Sequence, residues 1–215
     1  MKYKIAVFDM DGTILDTLDD LADSTNYALR TNGLPQRTVD EVRRFVGNGI
    51  GKLIERAVPQ GTDDAVRQKV FDTFTTYYKD HAAIKTKPYD GIKEVVQKLK
   101  EAGVITAVVS NKADFAVQSL CRDYFDGLFD MAVGEKEGIR RKPAPDSVLA
   151  VLERFGLQKE DGIYIGDSDV DYNTAINSGL APLMVGWGFR EESFLMEIGA
   201  PFVIHKPEEM IDIIL

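Results

Sequence analysis

The chain has 215 residues, of which 44% are hydrophobic, and a formal net charge of −9. This length and apolar content allow one α/β domain, or a core with a smaller inserted domain, and a substantial buried interior. The negative charge argues against nucleic acid as a partner, because its phosphate backbone would be repelled.

The apolar runs are too short to cross a bilayer, and the start Met1-Lys2-Tyr3-Lys4 lacks the core of a signal peptide. We therefore expect a cytoplasmic protein without a membrane partner. Cys121 is the only cysteine, so no intrachain disulfide or cysteine-rich zinc site can form, which agrees with a reducing compartment. The apolar neighbours of Cys121 favour a packing role over a nucleophilic one.

The first predicted strand is an apolar run at residues 5–8 that leads into Asp9-Met10-Asp11-Gly12-Thr13. Such a run is typical of a buried parallel strand, whose carboxyl end is where open α/β sheets place their chemistry. If the backbone stays extended through Met10, the carboxylates of Asp9 and Asp11 point to the same side. Two carboxylates in one small space require a cation or a proton. A strand that ends in a polar turn is the alternative for an isolated Asp-x-Asp.

Between Asp16 and Lys85 the sequence shows helical periodicity and no strand pattern. Helices are predicted over about 17–31, from the capping box Thr38-Val39-Asp40-Glu41 onward, over about 50–58 and over about 63–80. This segment therefore reads as a small helical bundle inserted after the first strand. The two chain crossings near its ends are natural hinges.

From about residue 86 onward strands alternate with helices, which is typical of a parallel sheet. Strands are predicted at 104–109, 131–133, 162–165, 182–185 and 202–204. With the first strand they predict a doubly wound α/β fold, a Rossmann-like core with a strand order of about 3-2-1-4-5. Residues 1–15 and 86–215 would form this core, and residues 16–85 an inserted helical cap.

Polar residues follow three of these strands, at Asp9-x-Asp11, Ser110-Asn111 and Asp167-x-x-x-Asp171, while Lys142 lies in a loop framed by prolines. The carboxyl ends of strands in a doubly wound sheet face one edge, so these residues can converge. They offer a carboxylate nucleophile, hard oxygen ligands for Mg²⁺, and donors for phosphate oxygens. Each could singly be a cap, a loop or a solvated side chain, but together they predict a phosphoryl-transfer site.

The order of these motifs, with the insertion directly after the first, resembles the haloacid dehalogenase-like superfamily of phosphohydrolases. On that resemblance Asp9 is the nucleophile that forms an aspartyl-phosphate, and Asp11 is the acid and later the base. Lys142 would balance charge between Asp9 and the phosphoryl group. Mg²⁺ would be bound by the Asp9 carboxylate, the Asp11 backbone carbonyl and Asp167, with Asp171 fixing its waters.

The same resemblance assigns substrate contacts. Phosphate oxygens would be held by Thr13, Ser110 and Asn111. Within the insertion, the turn Val46-Gly47-Asn48-Gly49-Ile50 resembles the cap of the phosphoglycolate phosphatase branch. A glycine-rich turn at a helix start offers backbone N–H groups to an anion, which suits a small carboxylate such as that of glycolate. Candidate contacts in the cap are therefore Gly47, Asn48, Gly49 and, as an electrostatic contact or an exposed side chain, Lys52.

We therefore expect a Mg²⁺-dependent phosphatase for a small phosphorylated metabolite such as phosphoglycolate, working as a monomer or weak homodimer. Pyrophosphatases, nucleotidases and sugar-phosphate phosphatases or mutases of the same superfamily have similar caps and are alternatives. A phospho-aspartate regulatory module is an alternative of a different class, but Asp11 and the long insertion argue against it, because a switch needs no hydrolytic base. A catalytically silent binding protein is the third, although no motif residue is missing.

Overall fold

The protein is described by a computed structural model that covers residues 1–215. The chain forms two compact units, one from residues 1–15 and 88–215 and the other from residues 16–87. The expected second boundary, between residues 85 and 86, lies close by. None of the helices combines the length and the hydropathy of a membrane span.

With three exceptions, two short strands and one short helix, the helices and strands follow one another in the predicted order. In the amino-terminal part they are β1 (Ile5–Phe8), β2 (Leu15–Asp16), α1 (Leu18–Thr31), α2 (Val39–Phe45), α3 (Gly49–Ala57), α4 (Asp64–His81) and β3 (Lys87–Pro88). In the remainder they are α5 (Ile92–Glu101), β4 (Ile105–Ala113), α6 (Asp114–Phe125), β5 (Met131–Glu135), α7 (Asp146–Phe155), β6 (Gly162–Gly166), α8 (Asp169–Ser178), β7 (Ala181–Val185), α9 (Glu192–Glu197), β8 (Val203–Ile204) and α10 (Glu209–Ile214). Strands β2 and β3 pair with each other in a separate small sheet.

The larger unit is built on a parallel sheet of six strands in the order β5-β4-β1-β6-β7-β8. Counted along the chain within this sheet, the order is 3-2-1-4-5-6, which confirms the predicted order and adds β8 at one edge. Strand β1 lies at the centre, and its four residues are fully buried. The doubly wound α/β class is confirmed.

Helices cover both faces of this sheet because successive strand residues point to opposite sides. Ala6 and Phe8 of β1 join a hydrophobic cluster with residues of α5, α6 and α10. Ile5 and Val7 join the opposite cluster, with residues of α7 and α8. Cys121 packs against the first cluster, and burial raises the pKa of its thiol to about 12, as suits a packing residue.

Two elements extend further than their hydrophobic patterns indicate. Strand β4 continues through the polar residues 110–112 to Ala113, because a second stretch of pairing with β5 joins Ala113 to Glu135 after a register shift. The sequence predicts a helix over residues 114–121, but α6 runs to Phe125, whose ring is buried. The short helix α9 was not predicted at all.

The smaller unit contains the four helices α1 to α4. The capping box that opens α2 is confirmed: the Thr38 hydroxyl accepts from the Glu41 amide, and the Glu41 carboxylate accepts from the Thr38 amide. Helix α1 also contains a buried carboxylate, Asp20, which accepts hydrogen bonds from the backbone N–H groups of residues 84–86 at 2.8–3.0 Å. This carboxylate ties the beginning of the unit to its end.

Candidate active site

The carboxyl ends of β4, β1 and β6 lie next to one another in the sheet, and the polar residues that follow them meet there. The site brings together Asp9, Asp11, Thr13, Ser110, Asn111, Lys142, Asp167 and Asp171, all predicted from the sequence, with Lys112, Tyr164 and Phe189, which were not. Most of these side chains are buried, so water screens their charges weakly.

Lys142 lies between two carboxylates. Its Nζ is 2.8 Å from Oδ1 of Asp9 and 2.8 Å from Oδ1 of Asp171, and it donates to the Tyr164 hydroxyl at 2.9 Å. Burial alone would lower the pKa of this ammonium, but the charges of Asp171 and Asp9 raise the pKa well above its usual value. Lys142 therefore stays positively charged beside Asp9.

Asn111 faces the backbone of Lys142 with both ends of its side-chain amide. Nδ2 donates to the Lys142 carbonyl at 3.0 Å, and Oδ1 accepts from the Lys142 N–H at 2.9 Å. We expected this amide to hold a phosphate oxygen. These two hydrogen bonds instead connect β4 to the loop that presents the lysine.

Tyr164 is a site residue that sequence reasoning missed. Its hydroxyl donates to the Val109 carbonyl at 2.9 Å while it accepts from Lys142, and burial raises its pKa well above the usual value. Within an apolar strand it was indistinguishable from a core aromatic residue. The one available signal was chemical, because a buried tyrosine hydroxyl needs hydrogen-bond partners.

Lys112 is the second missed residue. Its Nζ lies 2.8 Å from Oδ1 of Asp11, and the two side chains are only 3% and 15% exposed. The predicted strand stopped at residue 109, and a lysine beyond a strand end is normally solvated. Since β4 continues to Ala113, it brings Lys112 into the site.

Asp167 is held by two donors from other parts of the chain. The Thr13 hydroxyl donates to Oδ1 at 3.1 Å, and the Phe189 amide donates to Oδ2 at 2.7 Å. Thr13 was expected to hold a phosphate oxygen, but its hydroxyl is directed to this carboxylate.

Asp171 supports Lys142 and the start of α8. Oδ1 pairs with Lys142, while Oδ2 accepts from the Ser168 hydroxyl at 2.6 Å and from the backbone N–H groups of Asp167 and Ser168. We expected Asp171 to fix waters of a metal ion. Its carboxylate is fully buried, and both of its oxygens are engaged by protein donors.

The acidic cluster can hold a metal ion. Asp9, Asp167 and Asp171 each offer a carboxylate oxygen, and these atoms lie within 4.8 Å of one another. Oδ1 of Asp9 is buried and, beyond its ion pair, accepts no well-directed hydrogen bond. Burial and the neighbouring Asp171 raise the pKa of Asp9 to about 7 and that of Asp167 to about 8. A cation would relieve this repulsion, and an all-oxygen donor set suits Mg²⁺.

The candidate contacts of the smaller unit lie around the start of α3. Gly47 and Gly49 adopt left-handed φ angles of 119° and 79°, which favour glycine. Between them, Oδ1 of Asn48 accepts from the Arg56 guanidinium at 2.8 Å. Lys52 is about half exposed and pairs with Glu55 at 2.8 Å.

Known proteins are similar to this chain in sequence and in fold. A phosphoglycolate phosphatase from Mesorhizobium japonicum is 33% identical over 89% of this chain and 86% of its own length. An N-acetylmuramic acid 6-phosphate phosphatase from Pseudomonas aeruginosa is 29% identical over 100% of this chain and 96% of its own. A crystal structure from Lactobacillus delbrueckii subsp. bulgaricus, of a protein proposed to be a phosphoglycolate phosphatase, superposes with a TM-score of 0.95 at 39% identity, covering 100% and 99% of the two chains.

The model of one protein family matches most of the chain. It spans residues 6–185 and is described as haloacid dehalogenase-like hydrolase. The match includes the segment after β1, the lysine loop and the aspartates after β6. It confirms the resemblance that the motifs indicated: this chain belongs to the haloacid dehalogenase-like hydrolases.

Proposed function

We propose that this protein is a Mg²⁺-dependent phosphatase that hydrolyses small phosphomonoesters through an aspartyl-phosphate at Asp9. One observation supports it above the others: a buried carboxylate at a strand end lies 2.8 Å from a lysine whose pKa is raised above its usual value, and within a cluster that can hold a cation. This arrangement positions a nucleophile where an incoming phosphate dianion is attracted and not repelled.

In the first step a carboxylate oxygen of Asp9 attacks phosphorus. The new bond joins this oxygen to phosphorus, and the bond from phosphorus to the ester oxygen breaks. Asp11 supplies the proton that the leaving alkoxide needs. Lys142 stabilises the negative charge that gathers on the phosphoryl oxygens beside Asp9.

In the second step Asp11, now a carboxylate, takes a proton from water as that water attacks phosphorus. The acyl-phosphate bond breaks, inorganic phosphate leaves and the Asp9 carboxylate is regenerated. Lys112, whose Nζ lies 2.8 Å from Oδ1 of Asp11, would hold this side chain in place in both steps.

Asp9, Asp167 and the backbone carbonyl of Asp11 would hold the Mg²⁺, with Asp171 behind them. Bound there, the ion supplies positive charge that offsets the acidic cluster and polarises the phosphoryl group. Ser110 remains the candidate hydroxyl donor to a phosphate oxygen. Its side chain lies at the end of β4, where its hydroxyl oxygen accepts from the backbone N–H of Lys112. For Asn111 and Thr13 we propose supporting roles, because their side chains contact the Lys142 backbone and the Asp167 carboxylate.

Phosphoglycolate is the first candidate substrate. The relatives' names give phosphoglycolate and N-acetylmuramic acid 6-phosphate, and both compounds have a carboxylate besides the phosphate ester. The glycine-rich helix start at Gly47-Asn48-Gly49 is the proposed carboxylate contact, with Lys52 as an additional positive charge. We further propose a cytoplasmic protein, in keeping with its single cysteine. We propose that it acts as a monomer or weak homodimer.

The experiment compares wild type with Asp9→Asn on 4-nitrophenyl phosphate in Mg²⁺ and in EDTA. We expect Asp9→Asn and EDTA each to lower kcat by at least about a thousandfold, while circular dichroism shows an intact fold. Substantial turnover by Asp9→Asn would exclude Asp9 as the nucleophile. Phosphorylated protein that persists for minutes after exposure to a phosphodonor would instead favour a regulatory module.

A matched substrate pair tests the carboxylate. We expect kcat/KM for phosphoglycolate to exceed that for 2-hydroxyethyl phosphate by about tenfold or more, because the two esters differ in that group alone. Equal values would remove the proposed role of the glycine-rich turn and leave the phosphatase chemistry in place. Pyrophosphate, nucleoside monophosphates and hexose phosphates complete the panel.

A further inference from the structure

The segment Gly186–Phe189 follows β7 and reaches the same edge of the sheet as the catalytic aspartates. Its tryptophan, Trp187, donates from the indole Nε1 to the carbonyl of Thr13 at 3.1 Å. Its last residue, Phe189, donates its backbone N–H to Oδ2 of Asp167 at 2.7 Å. One short segment therefore contacts both the loop after β1 and the candidate metal ligand.

Two glycines that contact the Asp167 side chain, Gly12 and Gly188, show how closely these segments pack. A Cβ atom added to Gly188 would overlap the Cβ of Asp167 and lie 2.5 Å from the carbonyl oxygen of Gly12. A Cβ atom added to Gly12, whose φ is +81°, would overlap the Asp167 carboxylate. The carboxylate is thus enclosed by backbone on both sides, and neither segment can move without affecting the other.

Three hydrogen bonds connect the segment Gly186–Phe189, Thr13 and Asp167 to one another. Trp187 holds the carbonyl of Thr13, the hydroxyl of Thr13 holds Oδ1 of Asp167, and Phe189 holds Oδ2 of the same carboxylate. Thr13 is therefore fixed at two points. Asp11 and Asp9 lie two and four residues before it on the same loop, so the indole donor acts on their placement through the Thr13 backbone.

We propose that Trp187 is a positioning residue that links the cation site at Asp167 to the loop bearing Asp9 and Asp11. Its indole N–H keeps the Thr13 carbonyl, and with it the Thr13 hydroxyl, in the position that orients Asp167. The catalytic part of this inference rests on the proposed function, whereas the part concerning cation binding does not need a substrate.

The test replaces only the indole N–H of Trp187. Trp187 is the only tryptophan in the chain, so incorporation of 3-benzothienylalanine exchanges its indole N–H for sulfur and changes no other position. Mg²⁺ affinity is measured by calorimetry on the protein stripped with EDTA, and kcat and KM with 4-nitrophenyl phosphate. We expect Mg²⁺ to bind about tenfold more weakly and kcat to fall about tenfold, with KM changed less than kcat.

Trp187→Phe, which also lacks the donor, should change both values in the same direction. Phe194→Leu, at a partly exposed position on α9, is the matched control and should change neither. A benzothienylalanine protein with wild-type Mg²⁺ affinity and kcat would overturn the proposal, even if its melting temperature were lower, because that result describes packing alone. If wild type binds Mg²⁺ but hydrolyses no phosphomonoester, the proposed function fails, and the Mg²⁺ affinities still decide on Trp187.

Discussion

The side-chain amide of Asn111 binds both backbone groups of Lys142, donating to the carbonyl at 3.0 Å and accepting from the N–H at 2.9 Å. The two residues belong to different elements, the end of β4 and the loop before α7. This pair of hydrogen bonds therefore fixes the position of the Lys142 backbone relative to the sheet. The side chain of Lys142 then reaches Asp9, Asp171 and Tyr164. Asn111 is therefore expected to act on the reaction through Lys142.

This relationship predicts a non-additive double-mutant cycle. Asn111→Ala should lower kcat about a hundredfold, because the displaced lysine no longer stabilises the phosphoryl group beside Asp9. In a Lys142→Ala background the same substitution should have little further effect, since its target is gone. The measurement is kcat for 4-nitrophenyl phosphate in the four proteins. Independent, additive losses would instead indicate that Asn111 contacts phosphate directly, as the sequence first suggested.

The ion pair between Lys112 and Asp11 predicts a dependence on the leaving group. Lys112→Met removes the side chain that lies 2.8 Å from Asp11, so the group that protonates the leaving oxygen is misplaced. We expect kcat for phosphoglycolate to fall about 10- to 100-fold, and kcat for 4-nitrophenyl phosphate to fall less, because nitrophenolate leaves without a proton.

Lys112→Arg is the matched variant for this prediction. It keeps the charge and a donor within reach of Asp11, so it should recover part of the loss for phosphoglycolate. Equal losses on the two substrates in Lys112→Met would show that the lysine supports the fold of the site and has no specific effect on proton transfer.

The sheet could be predicted well from the sequence because the same hydrophobic pattern recurs at every strand. Apolar runs bounded by turn residues recur at each strand, and the short crossovers allow few topologies, so the order of the central strands follows. The motif aspartates could be assigned to one edge of the sheet by the same argument. Their placement needed only the strand ends to be correct within a residue or two.

Individual partners could not be predicted because they depend on where a strand stops and what lies opposite. Polar residues end a hydrophobic pattern, but in β4 they continue the pairing, and this extension alone decides that Lys112 is buried. The same limit applies to Thr13 and Asn111. Each has a side chain suited to phosphate, and only the fold shows that the nearest groups are a carboxylate and a backbone peptide.

The buried carboxylates predict how stability varies with pH when no metal is bound. The pKa of Asp9 is raised to about 7 and that of Asp167 to about 8, chiefly by burial and by Asp171, whereas both values lie near 4 in an unfolded chain. Between about pH 4 and pH 8 the folded protein therefore binds more protons than the unfolded one, and its stability falls as the pH rises.

Calorimetry in EDTA should accordingly show a melting temperature that decreases from pH 6 to pH 8.5. Mg²⁺ should raise the melting temperature more at pH 8.5 than at pH 6, because it competes with protons for the same oxygens. Asp167→Asn should flatten the pH dependence and reduce the effect of Mg²⁺. A metal-free melting temperature that stays constant or rises over this range would show that these carboxylates are ionised without a cation.

The buried carboxylate of Asp20 predicts the stability of the helical unit. It accepts the N–H groups of residues 84–86, which lead into β3, and it is 2% exposed. Asp20→Ala leaves these donors without an acceptor, at a cost of about 1–3 kcal/mol for a buried unsatisfied group. Hydrogen exchange of the amides of residues 84–86 should become at least about tenfold faster, since 1.4 kcal/mol of local opening corresponds to that factor.

Asp23→Ala is the matched control: Asp23 pairs with the Lys85 ammonium at an exposed position, so its loss should change exchange little. Equal exchange in both variants and wild type would show that the segment is held by other contacts.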